Sequence, residues 1–280
     1  PRPAGLQRSI CHFFRFHTCE CASLLAITNA KLLARKLSSL RVRRQAIYSR
    51  CMGKVIVFAN TKGGVGKSFL AVHLAVWLAD CHYRVAVVDC DDQRTSSRWI
   101  SRIPDLAVTI RAVKATDETS RADEVRKLIS SLMARNDFVI VDTKGSAGLT
   151  TSAAVIKSDL AFIPLQPSAS DIWPIENALS VIRLSQEVRN GQPAASLIMN
   201  QTDDSDVLAR DVRRLAAKFD IPVAKTNVKR LHAYPDAAGN RTVATRLTDA
   251  RGRKAGTRLA ALFTEILSCH LSDHQEVANG

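Results

Sequence analysis

Residues 60–69 read N-T-K-G-G-V-G-K-S-F, which comes close to the phosphate-binding pattern G-x-x-x-x-G-K-[ST]. The last three required positions are filled at 66–68, whereas Thr61 stands where the pattern has its first glycine. In such a loop the lysine binds the β- and γ-phosphates of a nucleotide, and the hydroxyl that follows binds Mg²⁺. The segment therefore predicts a nucleotide site, and it carries a second lysine, Lys62, beside the expected position of the phosphates.

The glycines of this loop suit it to hold phosphate, because without Cβ atoms the backbone can turn its N–H groups inward. A helix that begins near Gly66 would add the positive end of its dipole. A flexible glycine-rich loop is the alternative, but an apolar strand before the loop and a helix after it favour phosphate binding. The residues expected to contact the nucleotide are Gly63, Gly64, Val65, Gly66, Lys67, Ser68 and Phe69.

Acidic residues follow two of the predicted buried strands. The segment V-V-D-C-D-D-Q-R places Asp89 and Asp91 at the end of one strand, and D-F-V-I-V-D-T places Asp142 at the end of another. Ligands gather outside the carboxyl ends of parallel strands, and Mg²⁺ beside phosphates needs few carboxylates. A single such acid is often a helix cap or a turn residue, but two strand ends beside a phosphate loop favour a Mg²⁺ site.

An alternation of strands and helices must position these residues. Short apolar, β-branched runs without polar alternation are typical of strands buried on both faces. Their alternation with helical segments predicts an α/β fold with a doubly wound, mainly parallel sheet and helices on both faces. The predicted strands cover 54–60, 84–89, 107–113, 137–142, 159–165 and 194–200, and the predicted helices cover 67–80, 93–102, 119–135, 147–157, 171–190, 203–218 and 254–268.

The formal net charge of the 280-residue chain is +14, which indicates a polyanionic partner. The excess is uneven, because residues 1–51 hold ten Lys or Arg and a single acid, Glu20, and residues 52–280 are left with about +5. We therefore predict a basic extension over 1–51 and a nucleotide-binding domain over 52–280. The extension has three open interpretations: sequence translated upstream of a natural start at Met52, an Arg-rich targeting peptide, or a basic arm with a helix at 24–40.

Several classes of protein are disfavoured by composition. No apolar run approaches the roughly 18 residues that a membrane span requires. The seven cysteines show neither C-x2-C pairs nor a matching histidine spacing, so the sequence predicts neither a zinc site nor a disulfide framework. Reduced thiols of a cytosolic protein are the expectation.

Taken together, K-G-G-V-G-K-S, V-D-C-D-D-Q and V-I-V-D-T resemble the motifs of the deviant Walker A ATPases, a SIMIBI-class branch of the P-loop NTPases, and within them the ParA-type partition proteins. The similarity extends over about residues 54–265, and the segment at 152–168 also resembles short members without an N-terminal DNA-binding domain. The resemblance implies a P-loop ATPase domain over 52–280, with ATP and Mg²⁺ as cofactors.

The resemblance also implies a role for each site residue. In the family, a lysine at the position of Lys62 reaches across a nucleotide-sandwiched homodimer to the phosphates bound by the partner, comparable to an arginine finger. Asp91 matches the residue that positions the attacking water. The implied assignments are catalysis for Lys62, Lys67 and Asp91, Mg²⁺ binding for Ser68, Asp89 and Asp142, and adenine contact for Asn200 and Pro167.

Three positions depart from the family pattern. Asp92 replaces the proline of D-x-D-P-Q, Phe69 replaces a frequent second hydroxyl, and Thr143-Lys144-Gly145 replaces a diproline. None of these changes removes a charge that the chemistry needs. Together they indicate a divergent branch and weaken the expectation of an ordinary rate of hydrolysis.

For a ParA-type protein the implied function is slow ATP hydrolysis in plasmid or chromosome segregation, stimulated by DNA and by a ParB-like centromere-binding partner protein. ATP dimers of the family bind DNA non-specifically, which predicts a cytoplasmic, nucleoid-associated protein. Basic side chains would contact phosphates without reading bases, although a solvated helix face is the alternative. The expected DNA-binding residues are Arg246, Arg251, Arg253 and Lys254.

Related families suggest two other functions. Membrane-bound division-site regulators end in a basic amphipathic helix, whereas this chain ends in the polar L-S-D-H-Q-E-V-A-N-G, so we expect no membrane partner. A ParA-like recruitment factor for conjugative or T-DNA transfer, with nucleotide only as a switch, remains the alternative, because the segment at 91–99 fits either group.

Overall fold

A parallel sheet organises the part of the chain that the computed structural model describes, namely residues 53–146, 148–166, 172–202, 207–218 and 220–272. Its strands are β1 (Lys54–Phe58), β2 (Val85–Asp89), β3 (Val108–Ala112), β4 (Phe138–Asp142), β5 (Leu160–Leu165) and β6 (Ala194–Met199). The strand order is β3-β2-β4-β1-β5-β6, and each neighbouring pair is parallel. The predicted doubly wound sheet is thereby confirmed.

Helices alternate with the strands as far as β6, as the sequence predicts, and further helices follow β6. They are α1 (Lys67–Asp80), α2 (Thr95–Ile100), α3 (Glu118–Met133), α4 (Leu149–Lys157), α5 (Ile172–Val188), α6 (Val207–Lys218), α7 (Ala233–Gly239) and α8 (Ala250–Ser272), with a 3₁₀ turn at Ala244–Arg246. Within the described ranges, none of them combines the length and apolar composition that a membrane-spanning segment needs. The predicted extension over 1–51 and Pro167 lie outside the described residues.

Both faces of the sheet are covered, because successive side chains of a strand point to opposite faces. In β1, Ile56 and Phe58 pack into the apolar layer that contains buried residues of α1 and α8. Val55 and Val57 pack into the opposite layer, which contains buried residues of α3 and α5. The central strand is therefore buried on both sides, which explains its uninterrupted apolar sequence.

At two of the helix starts that differ from the prediction, local hydrogen bonding explains the difference. The last helix begins at Ala250 rather than at 254, because a carboxylate oxygen of Asp249 accepts the backbone N–H groups of Arg251 and Gly252 at 3.1 and 3.2 Å. The second helix begins at Thr95 rather than at 93, because Asp91 Oδ1 accepts the N–H of Gln93 in a turn.

The strand order brings three functional segments to one edge of the sheet. β2, β4 and β1 are neighbours, and their carboxyl ends lie in register, with Asp142 opposite Asp89 on one side and Phe58 on the other. The glycine loop follows β1, and the two acidic segments follow β2 and β4. The predicted site residues therefore meet at the edge where parallel sheets bind ligands.

Candidate nucleotide-binding site

The loop between β1 and α1 has a conformation that only glycine adopts readily. Gly64 has φ +76° and Gly66 has φ +97°, both in the left-handed region. A Cβ atom on Gly66 would lie 2.0 Å from Nδ2 of Asn200. The loop therefore requires glycine at residue 66 for its backbone angle and for the close approach of Asn200, which follows β6.

Three side-chain amides hold this loop and the strand end beside it. Asn200 Nδ2 donates to Val65 O at 2.8 Å, and Gln166 Nε2 donates to Gly64 O at 2.8 Å. Asn60 Nδ2 donates to Pro164 O at 2.8 Å, while its Oδ1 accepts the N–H of Lys62. Sequence reasoning missed Asn60 and Gln166, although each lies within two residues of the carboxyl end of a strand.

The loop lysine, Lys67, lies inside this cradle. Its side chain is buried, and Nζ donates to the carbonyl oxygen of Lys62 at 2.8 Å. Burial lowers the pKa of Lys67, while the charges of Asp142 and Asp91 oppose that shift. An anionic ligand at the loop would supply the countercharge that a buried ammonium group lacks.

The two acids predicted to bind Mg²⁺ have different surroundings. Asp89 is buried, and its carboxylate accepts the N–H of Asp91 at 3.0 Å and the N–H of Ser97 at 2.9 Å. It therefore fixes the turn between β2 and α2. Asp142 is also buried, but neither of its oxygens has a hydrogen-bond partner of good geometry among the described residues.

The surroundings of Asp142 fit a cation. Burial, above all, raises the pKa of Asp142 to about 7, against an opposing effect of the Ser68 hydroxyl. A buried carboxylate without a hydrogen bond of good geometry is costly unless a cation compensates its charge. The described residues contain no cluster of three or more His, Cys, Asp or Glu that could hold a metal alone. A buried carboxylate at the strand end beside a phosphate loop fits Mg²⁺, which is held by one or two carboxylates together with substrate phosphates.

The third acid, Asp91, lies in a turn held by charged neighbours. Its neighbour Asp92 forms ion pairs with Lys144 at 2.7 Å and with Arg121 at 2.9 Å. The hydrogen bond from Lys144 is the main cause that lowers the pKa of Asp92, and the same bond raises the pKa of Lys144. Two of the three departures from the family pattern are therefore in direct contact.

A cavity of about 320 Å³ lies beside the loop, on the side of Asn200. Its walls include three aromatic side chains, Phe69, Trp99 and Tyr234, and the guanidinium-bearing Arg230. Asn200 lines this cavity while its amide holds the phosphate loop. The structure thus places Asn200 beside a space of suitable character for a base, whereas Pro167 lies outside the described residues.

The residues predicted to bind DNA lie apart from the phosphate loop in the chain and fall into two kinds. Arg246 forms a bidentate ion pair with Asp80 at the end of α1, with its shortest N–O distance at 2.7 Å. Arg251, Arg253 and Lys254 lie on the first turns of α8 and are exposed. Arg246 therefore has a structural contact that the sequence did not reveal.

The fold and the site together define a class of protein. A parallel sheet with a glycine loop after its central strand, a buried lysine in that loop and acids on the adjacent strand ends are the features of a P-loop NTPase. A family model described as the CobQ/CobB/MinD/ParA nucleotide binding domain matches residues 56–242. The chain belongs to this family, and its relatives confirm the resemblance to ParA-type partition ATPases.

Named relatives cover most of the chain. It is 26% identical over 216 residues to the maintenance of carboxysome distribution protein A of Halothiobacillus neapolitanus, covering 76% of this chain and 95% of that one. It is 24% identical over 215 residues to the chromosome-partitioning ATPase Soj of Treponema pallidum, covering 64% and 84%. An ATP complex of McdA from Cyanothece has the same fold, with a TM-score of 0.63 and 14% identity over 78% of this chain and 97% of that one.

Proposed function

We propose that this protein is a Mg²⁺-dependent partition ATPase whose ATP-bound homodimer binds DNA non-specifically during plasmid or chromosome segregation. The observation that carries the proposal is that the site combines a buried Lys67 in the loop with the buried carboxylate of Asp142 at the end of the neighbouring strand, which has no hydrogen bond of good geometry among the described residues. A bound Mg²⁺–triphosphate would suit both groups: its phosphates would contact the buried ammonium group of Lys67, and Mg²⁺ would contact the buried carboxylate of Asp142. Residues 52–280 form the ATPase domain in this proposal.

Each residue of the site has a role in the proposed reaction. Lys67 binds the β- and γ-phosphates, the loop N–H groups and the start of α1 bind phosphate oxygens, and Ser68 and Asp142 hold the cation. Mg²⁺, when bound, neutralises charge that develops on the phosphate oxygens. Asp89 fixes the turn that carries Asp91, and Asp91 orients the attacking water. Asn200 and the aromatic cavity receive the adenine.

Lys62 links nucleotide binding to dimerisation in this proposal. Lys62 lies at the start of the loop. In the dimer its ammonium group would contact the phosphates that the partner binds. Because each subunit then completes the site of the other, ATP favours the dimer by mass action. The dimer doubles the basic surface of α8, which raises the avidity for DNA. A ParB-like protein that binds the centromere is the expected partner, and a cytoplasmic, nucleoid-associated location is expected.

The test is ATP-dependent dimerisation, followed by light scattering together with a direct measurement of ATP affinity. Lys67→Ala should weaken ATP binding at least about tenfold, because it removes a charge-assisted hydrogen bond from a buried site. Lys62→Ala should retain ATP binding and remain monomeric with ATP. Lys127→Ala, which removes an exposed lysine of α3, is the matched control and should behave as the wild type.

The outcomes separate the parts of the proposal. ATP-dependent dimers of Lys62→Ala would contradict the role of Lys62 across the interface. A wild-type protein that takes up no ATP would contradict the proposed function as a whole.

A second candidate is a DNA-binding recruitment factor in which nucleotide acts only as a switch. The charged substitutions at Asp92 and Lys144, directly beside Asp91, are the observation that favours it, because they alter the surroundings of the proposed water-positioning group. Turnover that rises with DNA and with a partner protein would support segregation. DNA binding with ATP but without turnover would support recruitment.

A further inference from the structure

Two loops of the site are joined by an ion pair between positions that are distant in sequence. Asp92 lies in the turn after β2, and Lys144 lies in the segment after β4. Lys144 Nζ donates to Asp92 Oδ2 at 2.7 Å. Because β2 and β4 are neighbours in the sheet, this pair closes the gap between two segments that leave the same edge.

One end of this pair is anchored in the body of the protein by Arg121 of α3. Its guanidinium contacts Asp92 Oδ1 at 2.9 Å and donates to the carbonyl oxygens of Cys90 at 2.6 Å and Ala115 at 3.0 Å. The Arg121 side chain is only 9% exposed. The turn that contains Asp91 is thus held on both sides, by Arg121 acting on residues 90 and 92.

The other end of the pair is placed against the phosphate loop. A Cβ atom on Gly145 would lie 2.9 Å from the backbone nitrogen of Gly63 and 3.2 Å from the carbonyl carbon of Lys62. The segment after β4 therefore packs backbone to backbone on the loop that carries the two lysines. Lys144 connects that packed segment to the turn of Asp91.

We propose that Asp92 and Lys144 are a pair of positioning residues that holds the turn containing Asp91 in a fixed position relative to the phosphate loop. The inference rests on the proposed function, since Asp91 acts on the attacking water there. Neither residue of the pair takes part in the chemistry. The ion pair joins two of the positions that depart from the family pattern.

The exposure of the pair sets the size of the expected effect. The Asp92 and Lys144 side chains are 50% and 45% exposed. Ion pairs of this exposure shift an equilibrium by up to about fivefold. Removal of the pair should therefore raise the open-to-closed ratio of the turn up to about fivefold without unfolding the protein, and kcat should decrease in proportion to the closed fraction, by at most the same factor.

The test compares the full-length wild type with Lys144→Met, which removes the charge and keeps much of the apolar chain, and with Lys144→Arg, which restores the charge. Amide hydrogen exchange is measured in peptides that span residues 90–97, and ATP turnover supplies kcat and KM. Arg126→Met is the matched control, because the Arg126–Asp123 pair of α3 has a similar length, 2.6 Å, and similar exposure.

Lys144→Met should exchange up to about fivefold faster in 90–97 and decrease kcat by up to about fivefold, with KM for ATP unchanged. Lys144→Arg should recover both values, and Arg126→Met should leave both at the wild-type level. Unchanged exchange in Lys144→Met, or a kcat that does not follow the closed fraction measured by exchange, would overturn the inference while the proposed function stands. Absence of turnover in the wild type would remove the proposed function and this role together.

Discussion

At the scale of single residues, the site contains buried groups that cost stability. Asp142 is a buried acid whose oxygens have no partner of good geometry among the described residues, and its pKa is raised to about 7 mainly by burial. Asp137 is also buried but accepts hydrogen bonds from the backbone and guanidinium of Arg84, which lowers its pKa. The same side-chain type is therefore unsatisfied at one end of β4 and satisfied at the other.

This contrast predicts opposite effects of one substitution. Asp142→Asn should raise the free energy of unfolding of the nucleotide-free protein by about 1–3 kcal/mol, because it removes a buried charge that has no hydrogen bond of good geometry. It should also abolish the dependence of ATP affinity on Mg²⁺. Asp137→Asn, the matched control, should lower the free energy of unfolding. Urea denaturation at pH 8 and ATP titration with and without Mg²⁺ measure the two effects, and a less stable Asp142→Asn would contradict the prediction.

At the scale of elements, α1 joins the phosphate loop to the C-terminal part of the chain. It begins at Lys67 and ends at Asp80, which pairs with Arg246. Midway, His73 is fully buried: Nδ1 contacts Phe69 O at 2.8 Å, and Nε2 accepts the N–H of Ala244 at 3.1 Å. The neutral ring with its proton on Nδ1 satisfies both contacts, so His73 joins α1 to the 3₁₀ turn.

The buried histidine predicts a decrease of stability in acid. Burial lowers the pKa of His73 to about 4, below its value of about 6.5 in the unfolded chain. The unfolded state therefore binds a proton first, and the contribution of His73 is complete above pH 6.5 and is lost as the pH falls toward 4. Urea denaturation should show a decrease of about 3 kcal/mol from this residue over that range.

Two variants isolate the effect of His73. His73→Gln keeps an acceptor and a donor and should flatten the decline between pH 6.5 and 4. His82→Gln, at an exposed position, should leave the decline as it is in the wild type. A decline of equal size in His73→Gln would assign it to other groups.

At the scale of the whole molecule, several basic side chains lie around one groove at the start of α8. Arg251, Arg253 and Lys254 are exposed on the first turns of α8. Lys225, Lys254 and Arg258 line the same groove. Exposed cations of this kind bind the phosphates of DNA and release counterions, so their contribution falls steeply with salt. Arg246 differs because its guanidinium is paired with Asp80.

A triple variant tests this surface. Replacing Arg251, Arg253 and Lys254 by Ala should weaken DNA binding and reduce the slope of log K against log salt by about 0.9 for each phosphate that is no longer neutralised. Replacing the exposed Arg111, Lys114 and Lys127 by Ala removes the same charge elsewhere and is the matched control. Fluorescence anisotropy with unrelated duplexes at several salt concentrations supplies the slopes, and equal slopes for both variants would exclude a specific role for α8.

The sheet could be predicted from the sequence because its strands are buried on both faces. Runs such as Phe138–Asp142 are apolar up to a terminal acid, which marks both the strand and its carboxyl end. The glycine loop could be predicted because its backbone angles disfavour other residues. In each case the local sequence alone limits the structure.

The contacts between segments could not be predicted in this way. Asn60 and Gln166 are ordinary polar residues until β1 and β5 become neighbours, and Asp92 meets Lys144 only because β2 and β4 are neighbours in the sheet. Arg246 resembles the exposed cations of α8 in sequence, but the end of α1 supplies it with Asp80. These roles depend on which strands and helices become adjacent, and periodicity does not encode that.

The common direction of the strands also has a practical consequence. All carboxyl ends lie at one edge of the sheet, so the connections at the opposite edge are remote from the nucleotide. The connection between α3 and β4 at Arg135 is one of these and is exposed. A fluorescent dye or a short epitope attached there would allow the protein to be followed by microscopy in living cells without crowding the catalytic edge.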